Sequence, residues 1–290
     1  RDFFAGDSAL RVEGVRKTDG GTRVDTLSLR GGVLSLDGHF DTAADGFPRS
    51  LGLNGTLGDP AAPPVTLPVA GGRTRINSAQ LHVDYGGGSR WNGFLVLDRL
   101  AVGDIEMEDV TLNMGGIARN LDDPSTRDVT LSAEGLATGV WAADPDVARA
   151  LGTRIDLFAD AALPPGGPGR IRQLQISGNG LSIFSAGTIE DWVYSGRNAA
   201  RIDDITPFGG IAGRDLDGAV DFRANGSVNL LGGGFDLALD GTATDLRIGD
   251  DRVDNLLAGE TTLAGRVARD ETGIRAEGLR LGNAQISFAS

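Results

Sequence analysis

Val220-Asp-Phe222-Arg-Ala224, followed by Asn225-Gly226, and Phe235-Asp-Leu237-Ala-Leu239, followed by Asp240-Gly241, carry the pattern that decides the fold. Apolar and polar residues alternate with period two, so in an extended chain every second side chain falls on one face. The same alternation runs through residues 91–97, 110–114, 129–133 and 155–159. Further Asp-Gly and Asn-Gly pairs at 19–20, 37–38, 54–55, 179–180 and 217–218 favour the positive φ of tight hairpin turns. Short strands joined by such turns predict an all-β, largely antiparallel meander.

Composition points the same way. Glycine contributes 45 of 290 residues, well above the usual share of about 7%, and it is spaced too closely for long helices. Two short helices are the exceptions. Asp144 as N-cap, Pro145 at the first position, apolar residues at i, i+3 and i+4 and Gly152 as a stop predict one over 144–151. Val253, Leu256 and Leu257 repeat the spacing and predict a second over 250–258. Residues 58–72 and 164–169, rich in Pro and Gly, read as loops.

One pattern, L-x-[LI]-x4-[LI]-x-[LIF], occurs at 27–36 (Leu27, Leu29, Leu34, Leu36), at 174–183 (Leu174, Ile176, Leu181, Ile183) and at 279–288 (Leu279, Leu281, Ile286, Phe288). The odd step inside it would turn the second pair to the wrong face of a flat strand, so a Gly-containing turn or bulge must intervene. Each predicted helix stands shortly upstream of a copy, which predicts a larger repeated unit of helix, strands and this pair, stacked in one dimension. The whole chain, 1–290, reads as one repetitive β module.

Charge and residue types exclude much chemistry. With 27 basic against 40 acidic residues the net charge is -13, which disfavours nucleic acid. There is no cysteine for a disulfide, thiol nucleophile or thiolate metal site. His39 and His82 are the only histidines and form no metal or triad motif. Carboxylate pairs at 122–123, 144/146, 203–204, 215/217 and 250–251 fall at turns and helix starts, where Asp serves as a cap. No catalytic residue, metal or cofactor is expected, and Trp91, Trp141 and Trp192 are assigned to core packing. The remaining feature is a long sheet with one apolar face. Closure into a solenoid, a packed sandwich or a groove filled by an apolar ligand could cover it, and a small aliphatic lining with few aromatics favours the groove.

The run from Ile202-Asp-Asp-Ile205-Thr-Pro207-Phe208 through Ala212-Gly213 and Leu216-Asp-Gly218 to Val220-Asp-Phe222 resembles the corresponding stretch of TamB-type proteins of the AsmA superfamily. Residues 230–243, 253–265 and the closing Leu279-x-Leu281 unit follow that family's order, so the resemblance is most specific over 201–290. It implies a periplasmic segment of a bridge between the inner and outer membranes, with the sheet folded lengthwise into a U-shaped, apolar-lined β-taco. It also implies a role in outer-membrane protein assembly and in moving phospholipid, with acyl chains in the groove and an outer-membrane barrel of the TamA type as partner. The twelve repeat residues would then line the groove. The sequence begins at Arg1, and the inner-membrane anchor is expected outside it. The alternative is a secreted or surface β-solenoid adhesin or passenger domain with a closed core.

Overall fold

The structure is a computed structural model describing residues 7–67, 74–209, 213–270, 273–283 and the backbone of 287–289. The chain is all-β, an open antiparallel sheet with two short helices, and it is not closed into a barrel. It divides into two compact units, residues 1–141 with 160–167, and residues 142–159 with 168–290.

In the first unit β1 (Ala9–Arg16), β2 (Thr22–Arg30), β3 (Leu34–Thr42), β4 (Pro48–Gly58), β6 (Thr74–Tyr85), β7 (Arg90–Val102), β8 (Ile105–Arg119) and β9 (Asp128–Thr138) pair antiparallel in that order. The short β5 (Val65–Thr66) adds to β6. After β10 (Trp141–Ala142), the second unit begins with α1 (Pro145–Leu151). The strands that follow are β11 (Arg154–Leu163), β12 (Gly169–Ser177), β13 (Leu181–Glu190) and β14 (Val193–Ile202). A 3-10 turn (Thr206–Phe208) leads to β15 (Asp217–Asn229) and β16 (Phe235–Arg247), then α2 (Asp251–Leu257), β17 (Glu260–Asp270), β18 (Gly273–Asn283) and β19 (Ser287–Ala289). From β12 to β19 each strand pairs antiparallel with the next.

Both helices form where their caps place them. The Asp144 side chain accepts hydrogen bonds from the Asp146 and Val147 amides, and Gly152 ends α1 at φ 70° with its N–H on the Ala148 carbonyl. Asp250 accepts likewise from Arg252 and Val253. Each helix is followed by a strand and then by the repeated hairpin, β11 before β12–β13 and β17 before β18–β19.

The turn expectations need correction. Asp19-Gly20 and Asn179-Gly180 do lie between strands, but Asp37-Gly38, Asn54-Gly55, Asn225-Gly226 and Asp240-Gly241 sit inside β3, β4, β15 and β16. The strands are correspondingly long, 15 residues in β8. Several glycines inside the strands serve as holes. A Cβ on Gly241 would come 3.2 Å from Phe222 Cδ2 and one on Gly265 2.7 Å from Leu279 Cδ2, because a large side chain of the neighbouring strand lies over each. Trp91 crosses Gly116 in the same manner, its Nε1 donating to the Thr130 carbonyl at 2.9 Å. Tyr194 lies over Gly187 and Gly196.

The sheet of the first unit is rolled at the edge bearing the β1–β2, β3–β4 and β8–β9 turns. In a flat sheet the first and last of these would be about 29 Å apart, six strand spacings. Yet Arg49, at the start of β4, pairs with Asp19 of the first turn at 2.7 Å and also with Asp122 of the last. Arg127, buried beside it, donates Nη2 to Asp45 of the β3–β4 turn at 2.5 Å and to the Leu121 carbonyl at 2.9 Å, and its guanidinium stacks on Phe47. Beneath this clasp Tyr85, Ala118 and Leu121 form a buried cluster with Phe47, Leu51, Trp91 and Val129 around it.

The clasp makes this edge acid-sensitive. The hydrogen bond from Arg127, with help from the Phe47 amide, holds the Asp45 carboxyl below its ordinary range, and the bond from Arg49 does the same for Asp19. A carboxyl with a depressed folded-state value contributes its stability fully above the unfolded value near 4, and loses it as pH falls through the folded value. Melting temperature should therefore fall below about pH 4, and less steeply in Asp45→Asn, which should already melt lower at neutral pH. Equal slopes for the two proteins in a pH series of thermal melts would count against the clasp.

Candidate apolar binding face

The three copies of the repeated pattern fold into one hairpin with one register. Leu29 stands opposite Leu36, Ile176 opposite Ile183, and Leu281 opposite Phe288, the third and tenth positions in each case. In the first two copies the turn is closed alike, by the Gly31 amide on the Leu34 carbonyl at 2.7 Å and the Gly178 amide on the Leu181 carbonyl at 2.8 Å. The odd step falls in the turn, so both arms keep their apolar residues on the same face. Ile286 lies outside the described residues.

Pairing extends these residues into rows. In the second unit Ile176, Ile183, Ala200, Phe222, Gly241, Leu263, Leu281 and Phe288 occupy successive opposite positions from β12 to β19. Leu181, Ile202, Val220 and Ala243 form a flanking row, and Leu174 begins another through Ser185, Asn198, Ala224 and Leu239. Leu279 lies over Gly265. In the first unit Leu10, Leu29, Leu36, Gly55, Leu81, Leu95, Leu112 and Gly135 make an equivalent row, flanked by Leu27 with Gly38 and by Leu34 with Leu57.

Charge is segregated to the opposite face. Over 181–190, 193–202, 220–228 and 235–243 alternation puts every Arg, Asp and Glu on that other side. There Arg266 pairs with Asp236, holding its carboxyl below the ordinary range, and Arg223 reaches Asp221 at 3.8 Å. These exposed pairs stabilise the fold little. Their effect is to hold charge on that face and leave the Leu and Ile rows of the other uncharged. The polar groups in the middle of the apolar face satisfy one another: Tyr194 Oη meets Ser185 Oγ at 2.8 Å and lies 3.1 Å from the Ala186 carbonyl, and Asn198 Nδ2 donates to the Ala224 carbonyl at 3.3 Å.

The rows are not sealed. Leu27, Leu29, Leu34, Leu36, Leu174, Ile176 and Leu181 are half-buried, while Ile183, Leu279 and Leu281 remain 38%, 39% and 38% exposed. Nearly half of the buried apolar residues are alanines, and among the described residues only Ile76 and Val65 of the large side chains are below 2% exposure. A sealed core of this size would bury many of its Leu, Ile and Phe side chains completely.

Neither a protein family, nor a characterised protein, nor a solved structure matches this chain. The reading of the face therefore rests on its own geometry.

Other candidate groups have structural roles. Asp144, Asp204 and Asp250 cap helical turns, Asp122 pairs with Arg49, and Asp123 accepts from the Ser125 amide and hydroxyl. Asp146, Asp215, Asp217 and Asp250 do meet, with Arg214, around an open cleft of about 1030 Å³ between α1, the 3-10 turn and the start of α2. Among the described residues no group of His, Asp and Glu is placed to hold a metal ion, and no helix is long and apolar enough to cross a membrane. His82 sits on the polar face, its Nδ1 2.7 Å from Asn54 Oδ1 and its ring stacked on Phe94. Of the tryptophans only Trp91 packs inside; Trp141 and Trp192 are 54% and 63% exposed, which corrects the core assignment, since both stand where strands end rather than along an apolar row.

Proposed function

We propose that the apolar face of these strands binds lipid acyl chains, and that the chain is a non-catalytic segment of a periplasmic bridge that passes phospholipid between membranes and serves outer-membrane protein assembly. The observation that carries this reading is the alignment of half-exposed Leu and Ile in uncharged rows. Each methylene withdrawn from water onto such a row contributes about 0.8 kcal/mol, and no fixed partner is needed along its length. Headgroups would remain at the strand ends, in water. The resemblance to TamB-type proteins supports the periplasmic setting, an inner-membrane anchor and an outer-membrane barrel of the TamA type as partner. A closed-core adhesin is disfavoured by the same rows, because it would need them sealed.

The test is capture. Native mass spectrometry of protein purified without detergent should detect bound phospholipid, and a photo-crosslinker at Leu181 should label phospholipid in cells where one at Ser182, on the opposite face, does not. Equal labelling at both positions, or at neither, would sink the proposal.

A further inference from the structure

We propose that Trp192, Leu230 and Leu231 form a rigid apolar tip that inserts into the interfacial layer of a zwitterionic lipid bilayer. Two neighbouring hairpin turns of the second unit build it. In the β13–β14 turn Asp191 and Trp192 have φ of 47° and 63°. Positive φ at both central positions is the geometry that Asn-Gly occupies most easily, and a bulky side chain there is strained. The strained residue is also 63% exposed, so the fold gains neither backbone comfort nor burial from an indole at this place.

The β15–β16 turn stands beside it, the Leu230 amide donating to the Trp192 carbonyl at 2.9 Å. Leu230 is 50% and Leu231 74% exposed. This turn is held from within: Asn229 Oδ1 accepts from the Leu231 and Gly232 amides at 3.0 and 2.7 Å, and the Asn229 carbonyl accepts from Gly233 at 2.9 Å. A pre-set tip loses little conformational entropy on contact.

The chemistry selects a bilayer over a protein. An indole with one polar edge, next to two aliphatic side chains, matches the boundary between headgroups and acyl chains. Three side chains fall far short of the roughly 800 Å² per partner that a stable protein complex buries. The exposed Glu190 and Asp191 at the same tip oppose an anionic surface and leave a zwitterionic one. The tip lies at strand ends and shares no residue with the acyl-chain rows, so it stands or falls separately from them.

Because the chain has no cysteine, Leu231→Cys gives a single site for an environment-sensitive fluorophore on the full chain. Vesicles of phosphatidylcholine and phosphatidylethanolamine should shift its emission to the blue, while the same label at Ser195, on the polar face of β14, should not respond. Trp192→Gly should melt at the same or a higher temperature than the parent, since glycine relieves the turn, yet cosediment with these vesicles about tenfold less. No shift at position 231, unchanged vesicle binding by Trp192→Gly, or binding confined to anionic vesicles would each overturn the proposal. So would a lower melting temperature, which would assign the ring to packing, or self-association that Trp192→Gly abolishes without vesicle binding, which would assign the tip to a protein contact.

Discussion

Gly196→Ala should lower the melting temperature of the chain by roughly 6–12 °C, corresponding to a loss of about 3 kcal/mol. A methyl group at this position would overlap the Ala186 carbonyl oxygen and the Tyr194 hydroxyl, and would come 2.7 Å from Tyr194 Cζ. None of these can give way at small cost. The carbonyl belongs to the β13–β14 ladder, and the tyrosine ring is buried and tied by its hydroxyl to Ser185 and the Ala186 carbonyl. Gly233→Ala is the matched control. Its φ of 67° makes any side chain costly, but nothing lies within 4 Å of the added methyl, so only the backbone penalty of about 1–2 kcal/mol should appear. If the two variants melt alike, the glycines of the strands are not holes but hinges.

Ile183→Asp should reduce phospholipid capture at least tenfold while leaving the chain folded. Ile183 stands in the central row between Ile176 and Ala200, where an acyl chain would cross it. An ionised carboxylate pressed against hydrocarbon costs several kcal/mol, and 1.4 kcal/mol already corresponds to tenfold. The cost to folding is smaller, because the side chain is 38% exposed and the carboxylate can keep water in the empty protein. Ser182→Asp, one residue along on the opposite face, should leave capture unchanged. Quantifying copurified phospholipid together with melting temperature checks both parts. A folded Ile183→Asp protein with normal lipid content would remove the rows from the lipid path.

Much of this architecture was legible in the sequence because its causes are local. Period-two alternation fixes which face a side chain takes, and Asp-Pro, Asp-x and a final glycine fix the helices within a residue or two. The repeated pattern was legible for the same reason, and its three copies share a register. Where sequence reading failed, the cause was a partner strand. Asn225-Gly226 has the chemistry of a turn, yet its neighbours place it opposite Ala238 and Leu237 inside a ladder. The rolled edge was illegible altogether, since Arg127 meets Asp45 across 82 residues of chain. The exposure of Trp192 depends on turn geometry that an Asp-Trp pair does not announce. For the candidate face, the sequence supplied the residues and their common side, while the exposure that Ile183, Leu279 and Leu281 keep is a property of the assembled sheet.

The shared hairpin register has a consequence for length. In the second unit both copies leave from one margin of the sheet and return to it, with their greasy sides facing the same way. A chain assembled from such pieces can grow or shrink by two strands at a time without reversing a face or rerouting a connection, whereas an increment of one strand would send every later turn to the opposite margin. Extent along the pairing direction thus becomes an adjustable quantity, set by the number of strand pairs, and a protein that must match a fixed gap could be tuned to it in steps of about 10 Å.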